Sequence, residues 1–186
     1  MQGAIQKMRT RLDSPVSYQL PLGEALIDMN TLLGKKVDLA FSGSIQCIAC
    51  GRKIKKSFNQ GHCFPCLKSL ASCDQCIVRP ELCHYHEGTC REPEWGESHC
   101  LQPHVVYLAN SSGLKVGVTR ASQVPTRWID QGARQAVPVF ETGERRTAGL
   151  LEVTLRQVVA DRTDWRRMLK GSPDALDMLK ERTRIL

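Results

Sequence analysis

No run of apolar residues in this chain is long enough to cross a membrane, which excludes a helical membrane anchor on sequence grounds. The opening MQGAIQKMRTRLD lacks the apolar core of a signal peptide. Internal repeats, low-complexity runs and long disordered tails are also missing, so neither a solenoid nor a flexible scaffold is indicated. Cysteine is absent before Cys47 and after Cys100, although the chain has nine. A secreted disulfide scaffold would distribute its cysteines along the chain. These absences together predict a cytoplasmic protein without membrane association, in which clustered thiols bind metal rather than each other.

The charge balance is one-sided: 26 Lys plus Arg stand against 19 Asp plus Glu, a net charge of +7. That favours a polyanionic partner, nucleic acid before membrane. With 41% apolar and 24% charged residues, the 186-residue chain can build one medium domain or two small ones.

The first cysteine constellation is Cys47-x-x-Cys50, then Cys63-x-x-Cys66. Each pair fits a tight turn that points two thiolates at one ion, so four-sulfur zinc ligation in a zinc-ribbon or treble-clef-like knuckle is predicted. Between the pairs runs GRKIKKSFNQGH, a basic arm in which Arg52, Lys53, Lys55 and Lys56 are candidate phosphate contacts and Phe58 a stacking partner. The second constellation holds Cys73, Cys76, Cys83, Cys90 and Cys100. Cys73, Cys76 and Cys83 supply three ligands of a second zinc, with the fourth open between Cys90 and Cys100 and a nearby histidine, among His84, His86, His99 and His104, as the outsider. An iron–sulfur cluster is the alternative, because four thiolates suit either. Zinc stabilises such irregular segments by roughly 10–16 kcal/mol in small finger peptides.

An α+β organisation is expected. Residues 1–46 form a small β region, with strands at 4–12, 16–22 and 37–45 and a turn at Asp13, Ser14 and Pro15. Residues 47–104 are the cysteine-rich zinc segment. Residues 105–170 form a mixed domain: a hairpin of strands 105–109 and 114–119, a helix over 125–133, a strand at 137–141, a buried helix over 147–159 and a short element at 164–170. Residues 171–186 read as a helical tail starting at Ser172 and Pro173. No Gly or Asn stop follows it, so the sequence reads as a piece of a longer protein.

In the hairpin, VYL around Tyr107 is followed by KVG ending at Gly117, and Arg127 lies on the next helix. This order resembles the GIY-YIG nuclease domain over roughly residues 105–160. The resemblance implies a fold in which two strands carry the paired motifs and a later helix supplies a glutamate for a divalent ion. Residue by residue it places Tyr107 at the tyrosine of the first motif, Gly117 at the glycine of the second, and Arg127 at the helix arginine. Glu152 is the best-placed glutamate, with magnesium as its ion. Lys115 replaces the tyrosine that opens the second motif, leaving either a lysine working in its stead or a site that binds without cutting. The phrases GTCREPEWG, KVGVTR and RWIDQGA also resemble an uncharacterised bacterial cysteine-rich family of unknown function.

Phosphodiester hydrolysis needs a deprotonated water, a cation at the developing charge and help for the leaving oxygen. Arg127 and Arg120 are candidate phosphate clamps, Glu152 a magnesium ligand, and Tyr107 or Lys115 the base. Three readings follow: a metal-dependent nuclease, a non-catalytic DNA- or RNA-binding module, and a zinc-stabilised protein–protein adaptor.

Overall fold

A computed structural model describes residues 1–186, which form two compact units, residues 1–73 and 74–186. None of its helices is long and apolar enough to cross a membrane.

The first unit opens with a three-stranded antiparallel sheet, β1 (Arg9–Arg11), β2 (Ser17–Leu22) and β3 (Ala25–Asp28), in that spatial order. Gly23 makes the tight connection between β2 and β3 at φ +59°, a region that glycine enters without a Cβ clash. Asn30 closes the sheet: its Oδ1 accepts from the Tyr18 amide and its Nδ2 donates to the Val16 carbonyl, each at 2.8 Å. The strand expected over 4–12 is shorter than its pattern suggests, and β3 was not anticipated. The strand expected over 37–45 forms only at its end. Ile45–Gln46 is β4, paired with β5 (Lys53–Ile54). Its alternation finds no face to cover: Leu39 and Phe41 remain 76% and 75% exposed. A period-two pattern without a partner strand leaves its backbone unpaired, so it does not hold as a strand.

In the second unit, a series of short 3₁₀ turns leads into α2 (Pro93–His99), the first unit having contributed α1 (Phe64–Ser69). The sheet is β6 (His104–Asn110), flanked by β7 (Leu114–Arg120) and β8 (Gln135–Thr142), all antiparallel, in the order β7-β6-β8. Every residue of central β6 is buried. One sheet face, with Val106, Leu108 and Val116, packs under Ala148, Leu151 and Leu155 of α4 (Arg145–Leu155) and Met178 of α6 (Met178–Ile185). The other, with Val105, Tyr107 and Ala109, meets Val124 and Trp128, the latter on α3 (Thr126–Asp130). Burying each large apolar side chain in these layers contributes about 1.5–3 kcal/mol.

Two helices of this unit differ from their expected bounds for local reasons. After α4 the chain returns to the sheet edge, where the Val116 amide donates to the Ala160 carbonyl at 2.8 Å, so the helix stops before Val159. The C-terminal helix begins at Met178 rather than near Pro173. Residues 174–176 are instead held extended by hydrogen bonds from Asn110 to the Asp174 carbonyl and between Gln135 and both backbone groups of Leu176. Asp177 then caps the helix by accepting from the Lys180 amide. Between α4 and α6, Asp164 caps α5 (Trp165–Leu169) in the same way.

Candidate metal centre and hairpin site

The first four cysteines come together as their spacing predicts. Cys47 follows β4, and Cys50 lies in the turn closed by the Gly51 amide on the Cys47 carbonyl, 2.9 Å, with Gly51 at φ +71°. Cys63 is the residue before α1, and Cys66 sits one turn into it. The four Sγ atoms lie within 4.8 Å of one another, with Cys50 and Cys63 at 3.8 Å. The Cys63 amide points at the Cys47 Sγ, 3.2 Å away. Burial opposes ionisation of Cys47, but the amides of Cys50, Cys63 and Ala49 outweigh it and bring the thiol down to about 5. Cys66 is pushed up to about 12 by the Cys63 side chain and by burial. Four thiols crowded so closely cannot all ionise unless a cation joins them, and tetrahedral zinc fits this donor set. Zinc there would supply structure, since every ligand position is taken by sulfur.

The basic arm is divided by this geometry. Arg52 turns to the Cys50 side chain, whose negative charge raises the arginine's pKa, so it serves the thiolates rather than standing free for phosphate. Lys53, Lys55 and Lys56 are exposed. Lys56 Nζ lies 5.4 Å from the Phe58 ring, Phe58 meets Phe64 edge-on at 5.7 Å, and Lys68 Nζ lies 5.7 Å from Phe64. Phe64 and Lys68 join this face because α1 follows the knuckle directly.

A second close grouping is Asp74, Cys76 and His84, whose ligand atoms also lie within 4.8 Å. Cys73 belongs to the first unit and to neither grouping. Asp74 was not singled out from the sequence. It accepts from the Cys76 amide at 3.2 Å and pairs with Arg91 at 2.7 Å, so its carboxyl lies below the usual range despite burial. Cys76, Cys83 and Cys100 are buried and Cys90 is half-buried.

The hairpin register places the second set of candidates. Tyr107 pairs with Gly117 and Ala109 with Lys115, so Tyr107, Lys115 and the Gly117 position share the face toward α3. A Cβ on Gly117 would lie 2.8 Å from the Tyr107 hydroxyl, so the glycine makes room for the ring. Gly117→Ala is expected to destabilise the protein by about 1–3 kcal/mol, read as a lower urea midpoint at unchanged slope. Tyr107 is fully buried, donates to Gln131 at 2.7 Å and tilts against Trp128 at 5.8 Å. Burial pushes its pKa to about 12, with Arg127 opposing and Glu152 reinforcing the rise. Lys115 is 4% exposed and donates to Thr163 at 2.6 Å. Burial, aided by the Arg127 charge, brings it down to about 8.

Glu152 sits differently from its companions. It lies on the stripe of α4 formed by Arg145, Gly149, Glu152 and Arg156, spaced as one helix face. Burial raises its pKa, Arg156 opposes, and Asp161 and Glu81 add to the rise. Arg156 pairs with Asp161 at 3.1 Å and with Glu81 at 3.6 Å. Glu81 Oε2 is buried with no partner. Gln131, Thr163 and Glu81 reach these candidates from distant segments, and no local pattern marks them. Arg120 closes β7 opposite His104, whose pKa burial lowers with help from Arg145 and Arg120.

A family model matches residues 34–186, most of the chain and all nine cysteines. The chain belongs to the family described as Protein of unknown function (DUF2797). Neither a curated protein nor a solved structure matches it. Within this DUF2797 chain the matched span contains both the four-cysteine knuckle and the hairpin, so a single family unit carries both.

Proposed function

We propose that this protein binds nucleic acid and carries a GIY-YIG-like phosphodiester site on the α3 face of its hairpin. The observation that carries the reading is the convergence of Tyr107, Lys115 and Arg127 from two strands and a helix. A buried lysine with a lowered pKa beside an exposed arginine is an arrangement by which functional sites tune a base. Arg127 holds the phosphate through its planar donors. Lys115 takes the proton of the attacking water: at about 8 it retains a neutral fraction near neutral pH. Tyr107, at about 12 and bound to Gln131, stays protonated and orients rather than accepts a proton.

Glu152 is the proposed magnesium ligand, with the Glu81 carboxylate near enough to raise its pKa. Bound there, the ion would neutralise charge on the phosphoryl oxygens.

The zinc knuckle supplies affinity. Its exposed lysines and the Phe58–Phe64 pair combine phosphate attraction with an aromatic surface for unpaired bases. Changing Lys53, Lys55 and Lys56 together to alanine is expected to weaken binding by about 10–100-fold at low salt. The slope of log K against log salt should become shallower by up to about 3. Fluorescence titration of branched DNA and structured RNA over a salt series reads both quantities. Native protein that binds no member of that panel would sink the nucleic-acid reading and leave the zinc-built adaptor.

A further inference from the structure

We infer that Cys76, Cys83, Cys90 and Cys100 hold a second thiolate-ligated metal centre, built on the first turns of α4 and without Cys73. The inference stands on geometry independent of the nucleic-acid reading. Arg145, the first residue of α4, links two of these cysteine segments: its backbone amide donates to the Cys100 carbonyl at 2.8 Å, and its Nη2 donates to the carbonyl of Ile77, next to Cys76. One turn on, Gly149 gives the third segment a seat. A Cβ there would lie 2.5 Å from the Glu81 amide and 2.6 Å from the Pro80 side chain, in the turn that leads directly into Cys83. Cys90 approaches from the other side, against α2, where a Cβ on Gly96 would meet its Sγ at 3.4 Å. Three separate loops thus deliver buried thiols to one helix end.

A second observation points to an anion at that place. Arg145 Nε is buried and has no hydrogen-bond partner. An unpaired guanidinium donor in a buried position is costly, and a centre with four thiolates carries the negative charge that would satisfy it. The alternative trio of Asp74, Cys76 and His84 is already served by protein groups, Asp74 by Arg91 at 2.7 Å and His84 Nδ1 by Thr89 at 2.7 Å. Among the thiols, Cys100 faces the Arg145 side chain and Cys90 makes a long contact to the Glu92 carbonyl, 3.5 Å. Cys83, Cys90 and Cys100 enter no group of three ligand atoms within 4.8 Å, so this set is more open than the first: an iron–sulfur cluster spans wider thiolates, whereas one zinc ion would draw them together. Because Arg145, Gly149 and Glu152 share a stripe of α4, occupancy here also fixes the helix that carries Glu152.

The test is metal content of the full chain expressed with both iron and zinc supplied. Two centres per native chain are expected, with Cys73→Ser unchanged and Cys83→Ser or Cys100→Ser retaining only the first. Iron with acid-labile sulfide identifies a cluster and a second zinc identifies a single ion; either supports the site. Should the serine variants fail to fold, alkylation of native protein decides. Cys90 and Cys73 are similarly half-buried, so Cys90 should resist iodoacetamide until a chelator is added while Cys73 reacts throughout. One centre in native protein, loss of the second in Cys73→Ser, or equal reactivity of Cys90 and Cys73 would overturn the assignment.

Discussion

Replacing Lys115 by methionine is expected to make the protein more stable at neutral pH and to abolish the proposed phosphodiester cleavage. The ammonium is buried, and its pKa lies at about 8 against an ordinary 10.5. That difference corresponds to a folded-state penalty of about 3 kcal/mol wherever the unfolded chain would be fully protonated. The folded state binds fewer protons than the unfolded one between these two values. Native stability therefore rises with pH through that window, and the full penalty applies below about 8. Methionine removes the charge but leaves Thr163 without its donor, which returns about 1 kcal/mol. A net gain of about 1–3 kcal/mol at pH 7 follows, shrinking as pH rises toward 10.5. Urea denaturation of both proteins across that range checks it. A methionine variant less stable at pH 7, or a native stability that falls through the window, would show that Lys115 is a satisfied structural group.

The second large effect concerns the first cysteine set. In residues 1–73 the buried apolar groups are Cys47, Cys63 and Ala71, together with little else beyond Pro21. A segment with so small a core depends on its ion, which stabilises comparable peptides by roughly 10–16 kcal/mol. Cys63→Ser should therefore abolish zinc at this site and unfold residues 45–69. Limited proteolysis should open at Lys53, Lys55 and Lys56. The hairpin unit, with its own core of Val106, Leu108, Val116 and Leu155, should keep its resistance. Unchanged protection of the arm in that variant would mean that packing rather than metal holds the knuckle.

What could be read from the sequence was whatever depends on short spacing. The two C-x-x-C pairs needed only turns to converge, and the hairpin needed only the Asn110–Gly113 turn to set Tyr107 opposite Gly117. Groups brought in from far along the chain left no such trace. Thr163 reaches Lys115 across 48 positions, and Gln131 reaches Tyr107 across 24. Arg52 counts as a free cation in any charge pattern, yet the thiolates claim it. The alternation over 37–45 misled because periodicity describes a face without saying whether anything covers it. The start of α6 moved for a similar reason: tertiary hydrogen bonds to Leu176 outcompeted an earlier helix turn at Pro173.

The most direct test of the proposed phosphodiester site is cleavage of branched DNA and structured RNA by native protein and Glu152→Gln. It is run with and without magnesium, at pH values on both sides of about 8. Magnesium-dependent strand scission is expected, rising with pH until Lys115 is neutral and lost by at least about 100-fold in the variant, while affinity for the same substrates is retained. Equal binding by both proteins with no scission at any pH would contradict catalysis and leave a phosphate clamp.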